Sequence, residues 1–96
     1  MNLQMQAVHF DMKDETREFI EKKLERLGFA EDLIVDMEVN LVKDTHEYEL
    51  ECLVHFRWGK KVAIKHKSYD LHEGIDTLTD KVALKVKKEK GKIKEH

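Results

Sequence analysis

Between Leu33 and Lys65 the apolar residues fall on every second position in three successive runs, and no other feature restricts the fold as tightly. Val35, Met37, Val39 and Leu41 alternate with Asp36, Glu38 and Asn40. Tyr48, Leu50, Cys52, Val54 and Phe56 oppose Glu47, Glu49, Glu51 and His55, and Val62 and Ile64 alternate with Lys61, Ala63 and Lys65. A period of two puts alternate side chains on opposite faces of a strand. Lys43-Asp44-Thr45 and Trp58-Gly59-Lys60 are the turn candidates between the runs. Three alternating strands on short connections predict an antiparallel meander with one dry and one wet face.

The flanking segments complete the outline. Leu3, Met5 and Ala7 alternate with Gln4, Gln6 and Val8, a short strand. A helix is expected from about Asp14 to Leu27, with Thr16, Ile20, Leu24 and Leu27 on one side and Gly28 as its C-terminal cap. The last helix is expected to start at Asp70, a good N-cap, and to reach the high eighties. Leu71, Ile75, Leu78, Val82 and Val86 form its core stripe, and Leu84 falls on the opposite side. Tyr69, just before this helix, is expected to act as its hydrophobic staple. The prediction is an α+β fold of order β-α-β-β-β-α, a four-stranded sheet with two helices packed on one face. Residues 1–90 are expected to form one domain and residues 91–96 a short basic tail.

Charge is arranged unevenly. The 96 residues hold 18 Lys+Arg against 20 Asp+Glu, a net of −2. Residues 1–59 carry 7 basic and 14 acidic side chains, hence −7, whereas residues 60–96 carry 11 and 6, hence +5. Within 81–94 seven lysines face Glu89 alone. The total alone argues against a nucleic-acid partner, but a basic end can bind anions whatever the total. Lys81, Lys85 and Lys88 share one flank of the helical stripe.

Other chemistries find little support. No stretch has the roughly 20 apolar residues of a membrane span. MNLQMQAVHF lacks the pattern of a secretory signal, and the single cysteine, Cys52, fits a reducing cytoplasm. Cys52 lies on the dry face and reads as a core residue. His9, His46, His55, His66, His72 and His96 lack zinc-site spacing, and four scattered glycines make no phosphate loop. No enzyme, metal or cofactor is expected, and no membrane or small-molecule substrate.

The segment SYDLHEGIDTLTDKVALKVKKEKGKIKEH resembles the closing signature of the ribosome hibernation promoting factors, also called sigma-54 modulation proteins. In that signature Asp-Met/Leu-Tyr-x-Ala-Ile-Asp leads to Asp-Lys-Leu and a basic helix end. Asp70, Leu71, Ile75, Asp76, Asp80 and Lys81 occupy the matching positions, and TREFIEKKLERL is similar to the family's first helix. The resemblance spans nearly the whole chain and the β-α-β-β-β-α order is that family's fold. The ending is similar to the short form, with no second domain. His72 stands for a tyrosine, Gly74 for an alanine, Val82 for a leucine, and Leu84 where an arginine is common.

The resemblance implies a factor that binds the small ribosomal subunit and its rRNA across the decoding region. Such factors inactivate ribosomes in stasis, and short forms favour ribosome dimers with the help of a separate small factor. The expected RNA-binding residues are Lys81, Lys85, Lys87, Lys88, Lys90, Lys92 and Lys94, with solvation of a helix end as the competing reading. Lys60, Lys61, Lys65 and Lys67 rank second, because cross-strand pairing with Glu47, Glu49 and Glu51 competes. Lys22, Lys23 and Arg26 are interleaved with Glu21 and Glu25 and also rank second. Phe56 is expected in the core, while Trp58 is open to either packing or base stacking. The alternatives are a generic RNA-binding module, and a protein-interaction module that uses the acidic half to bind basic partners.

Overall fold

In the computed structural model the backbone is described for residues 1–94 and the side chains for residues 1–92. The elements are β1 (Asn2–Val8), α1 (Asp14–Leu24), a 3-10 segment (Glu25–Leu33), β2 (Ile34–Lys43), β3 (Tyr48–Phe56), β4 (Lys61–Ser68) and α2 (Leu71–Lys94). Strand order is β1-β2-β3-β4, with β1 parallel to β2 and the other pairs antiparallel. The predicted α+β architecture is thus the observed one.

Both turns of the meander close as the sequence suggests. The Asp44 N–H donates to the Glu47 carbonyl at 2.8 Å, and the Phe56 N–H to the Lys60 carbonyl at 2.8 Å. Gly59 has φ +89°, a left-handed conformation that favours glycine. The dry face collects Met37, Val39 and Leu41 from β2, Leu50, Cys52, Val54 and Phe56 from β3, and Ile20, Leu24, Ile75, Leu78, Val82 and Val86 from the helices. Each such side chain contributes about 1.5–3 kcal/mol by leaving water. Val35 does not join them: Ile34 is buried and Val35 exposed, because the β2–β3 register shifts between Ile34 and Asp36. A bulge at that point changes the alternation by one residue.

The first helix also departs from expectation. α1 stops at Leu24, and the chain winds on through Gly28 as a 3-10 segment instead of capping there. Leu24, Leu27 and Ala30 are all buried. Their spacing of three eclipses in a 3-10 helix, so tighter winding keeps all three on the core.

α2 begins as predicted. The Asp70 side chain accepts the Glu73 N–H at 2.9 Å, the capping bond that shields an orphan donor. Tyr69 is 80% exposed and is no staple; the entry is held by Ser68, whose Oγ donates to the Asp70 carbonyl at 2.8 Å. A Cβ on Gly74 would sit 2.8 Å from the Ser68 Cβ, so the departure from alanine permits a close helix–strand approach. His72 stacks on Phe19 with centroids 4.7 Å apart and lies 3.1 Å from the Thr16 hydroxyl, joining α2 to α1. α2 continues to Lys94, so residues 91–94 extend the helix, and the rest of the expected tail, Glu95 and His96, lies outside the described residues. No helix among the described residues is long and apolar enough to cross a membrane.

Candidate nucleic-acid interface

The core stripe of α2 does not end at Val86. Its next position is Glu89, three residues on, and Glu89 is 2% exposed. A carboxylate in a core position requires partners, because burying an unpaired charge is costly. Lys60, in the β3–β4 turn, donates to Glu89 Oε1 at 2.8 Å. Lys92 approaches the same oxygen at 3.4 Å and Lys85 at 3.7 Å. The Lys60 hydrogen bond holds the Glu89 carboxyl below its ordinary range, while burial acts against this. One buried anion therefore gathers three cations from two elements.

Around this cluster the helix presents two flanks. At about 100° per residue, Lys81, Lys85, Lys88 and Lys92 line the flank toward β4. Lys81 and Lys88 are exposed, and Lys81 Nζ lies 3.2 Å from His66 Nδ1. Burial, and then the Lys81 charge, lower the His66 pKa, so near pH 7 His66 is neutral beside a charged lysine. The other flank faces the 3-10 segment. There Lys90 donates to the Phe29 carbonyl at 2.9 Å and stands 5.3 Å from the Phe29 ring centroid. Lys87 stands 6.0 Å from the same centroid. Leu84 lies between the flanks, 64% exposed. The side chain of Lys94 lies outside the described residues.

The second-rank lysines are placed differently. Lys67 pairs with Glu49 at 3.5 Å and Lys65 with Glu51 at 3.8 Å, in the register that sets those residues opposite each other. Lys61 faces His55 across the strands. Lys23 pairs with Asp76 at 2.7 Å, and Arg26 pairs with Asp80. Lys22 is exposed, with no ion-pair partner among the described residues. Four of these seven second-rank cations, Lys23, Arg26, Lys65 and Lys67, thus each meet a single carboxylate, and Lys60 is the one drawn into the α2 cluster.

Phe56 is buried in the core, and Trp58 stacks on it at 4.8 Å while remaining partly exposed. Burial pushes the Cys52 thiol up to about 12, with Glu51 adding to the effect, which leaves it a neutral core group at ordinary pH. Phe29, His66 and Glu89 were not singled out as site residues from the sequence. Only Glu89 carries a signal, as the next position of the α2 stripe.

Comparison with known proteins brings these observations together. The family model described as sigma 54 modulation protein / S30EA ribosomal protein matches residues 3–94. A ribosomal subunit interface protein from Coxiella burnetii superposes with a TM-score of 0.86 at 24% identity, over 95% of this chain and 99% of that chain. The N-terminal domain of Thermus thermophilus Protein Y superposes with a TM-score of 0.81 at 27% identity, over 92% and 98%. No curated protein sequence matches significantly.

Proposed function

The chain belongs to the sigma 54 modulation protein / S30EA ribosomal protein family, and from that premise we propose that it is a ribosome hibernation factor. It docks on the small ribosomal subunit, occupies the channel otherwise used by messenger and transfer RNA, and holds ribosomes inactive in stasis. With a separate small factor it promotes ribosome dimers. The observation that carries this reading is the lysine-rich end of α2, where seven lysines between 81 and 94 face one acid and that acid is buried.

The physics of such docking asks for a rigid shape and cations set to meet phosphates. Structured RNA is read largely through shape, phosphates and 2′-hydroxyls. A helix packed on a sheet through Ile75, Leu78, Val82 and Val86 supplies a fixed platform. Lys81 and Lys88 then meet phosphates directly, and Lys87 and Lys90 work from the Phe29 flank. No bond is made or broken, so the role is that of a binding factor.

Sedimentation with purified small subunits tests the reading. Wild-type protein is expected to co-sediment at low salt and to dissociate steeply as salt rises. A Lys81→Glu/Lys85→Glu/Lys88→Glu variant is expected to lose association by more than tenfold. Undiminished binding of that variant would sink the α2 interface, and translation initiation that persists at saturating wild-type protein would sink the inhibitory role.

A further inference from the structure

We propose that Glu89 is a positioning residue, which assembles Lys60, Lys85 and Lys92 into a preformed site for one phosphate of an RNA backbone. The inference deepens the reading above and rests on it. Three ammonium groups converge on a single oxygen, at 2.8, 3.4 and 3.7 Å. A tetrahedral phosphate on their outer side can reach such a group of donors together. The carboxylate neutralises one of the three charges, so the cluster keeps a surplus of two.

Burial sets the direction in which the cluster acts. The Glu89 side chain is 3% exposed, whereas those of Lys85, Lys60 and Lys92 are 38%, 41% and 63% exposed. An approaching anion meets the ammonium groups, with the carboxylate beneath them. Free lysine side chains lose much rotamer freedom on binding, and lysines already drawn to one point lose less. Glu89 thus does for these lysines what an outer ligand does for a metal-binding histidine: it fixes donors it does not replace. Its place in the core stripe gives it a rigid base, and Lys60 ties the β3–β4 turn to the helix end.

The test exploits a conflict of signs. Replacing Glu89 by a neutral residue raises the net charge by one, so charge alone calls for tighter RNA binding. Positioning calls for weaker binding. Glu89→Gln and Glu89→Leu are to be titrated against purified small ribosomal subunits across a range of salt concentrations. Leucine suits a core-stripe position, and the lysines it leaves without a partner are 38–63% exposed and can turn to water, so no uncompensated charge stays buried and this variant is expected to fold. Urea unfolding checks both variants.

Both are expected to bind about 3–10-fold more weakly than wild type, the scale of freeing one long side chain, because the charge gained offsets part of the loss. In a Lys60→Ala/Lys85→Ala/Lys92→Ala background, Glu89→Leu is expected to cause no further loss. Equal or tighter binding by a folded Glu89→Leu protein would overturn the positioning role and leave the ribosomal reading standing. A further loss in the triple-alanine background would also overturn it. Failure of wild-type protein to bind small subunits would overturn both.

Discussion

The two halves of α2 carry similar charged groups and use them in opposite ways. In the first half Asp76 and Asp80 each meet one cation, Lys23 from α1 and Arg26 from the 3-10 segment, and these pairs are roughly half exposed. In the second half one carboxylate, Glu89, is buried beneath three lysines. One-to-one pairing at the surface leaves little field behind. A buried anion outnumbered by exposed cations leaves a strong one. Charge counted along a sequence treats the two alike, and burial separates them.

The comparison can be broken most severely at Glu89. Glu89→Lys places a fourth cation where the buried carboxylate was, and unfolding free energy is expected to fall by about 3 kcal/mol, the cost of an uncompensated buried charge. A lower urea midpoint at unchanged slope is the expected record. Acid should act on the same group more gently. The folded carboxyl is held below the unfolded value of 4.5, so its ionised form stabilises the fold fully above that pH. That contribution is lost as pH falls through the lower, folded value. Wild type is therefore expected to lose more stability on acidification than Glu89→Gln, as read by urea titrations below pH 5. The smallest effects belong to the first half. Asp76→Ala and Asp80→Ala are each expected to cost about 0.5 kcal/mol or less, and less still in high salt.

The fold was legible because its signals are local and repeated. Alternation marked the strands, Asp70 marked the start of α2, and Leu84 was placed on the solvent side by helical angle alone. The misses share another origin. Val35 was assigned to the core because period-two counting assumes an unbroken strand, and the shift between Ile34 and Asp36 breaks it. Gly28 was read as a stop, although burial of Leu27 and Ala30 favours continued winding. Tyr69 has the position of a staple and none of the packing.

At the candidate interface the lysines were visible as a run, and their partners were not. Alternation put Lys61 and Lys65 on the wet face with the glutamates of β3 as a group, and the register then sets Lys65 opposite Glu51 and Lys67 opposite Glu49. The pairing of Lys60 with Glu89 links a turn to a helix end 29 residues away, and no local pattern encodes it. The same holds for Lys23 with Asp76 and for Phe29 with Lys90. Such pairs depend on how α1 and α2 settle on the sheet, which is decided by the core and not by the charged residues.

The parallel pairing of β1 with β2 imposes an order on assembly. After Val8 the chain must travel back along the sheet through α1 and the 3-10 segment before Ile34 can run in the same direction. β3 and β4 meet their neighbours across short turns, so closing those pairs costs little entropy, whereas β1 must wait for the whole crossover. When the full chain refolds, the pairing of β1 is thus the one with the largest loop to close. The fold keeps a seam at its N-terminal edge, on the far side of the sheet from β4, and the lysine-bearing helix end is tied both to the β3–β4 turn, through Lys60, and to the crossover, through Phe29.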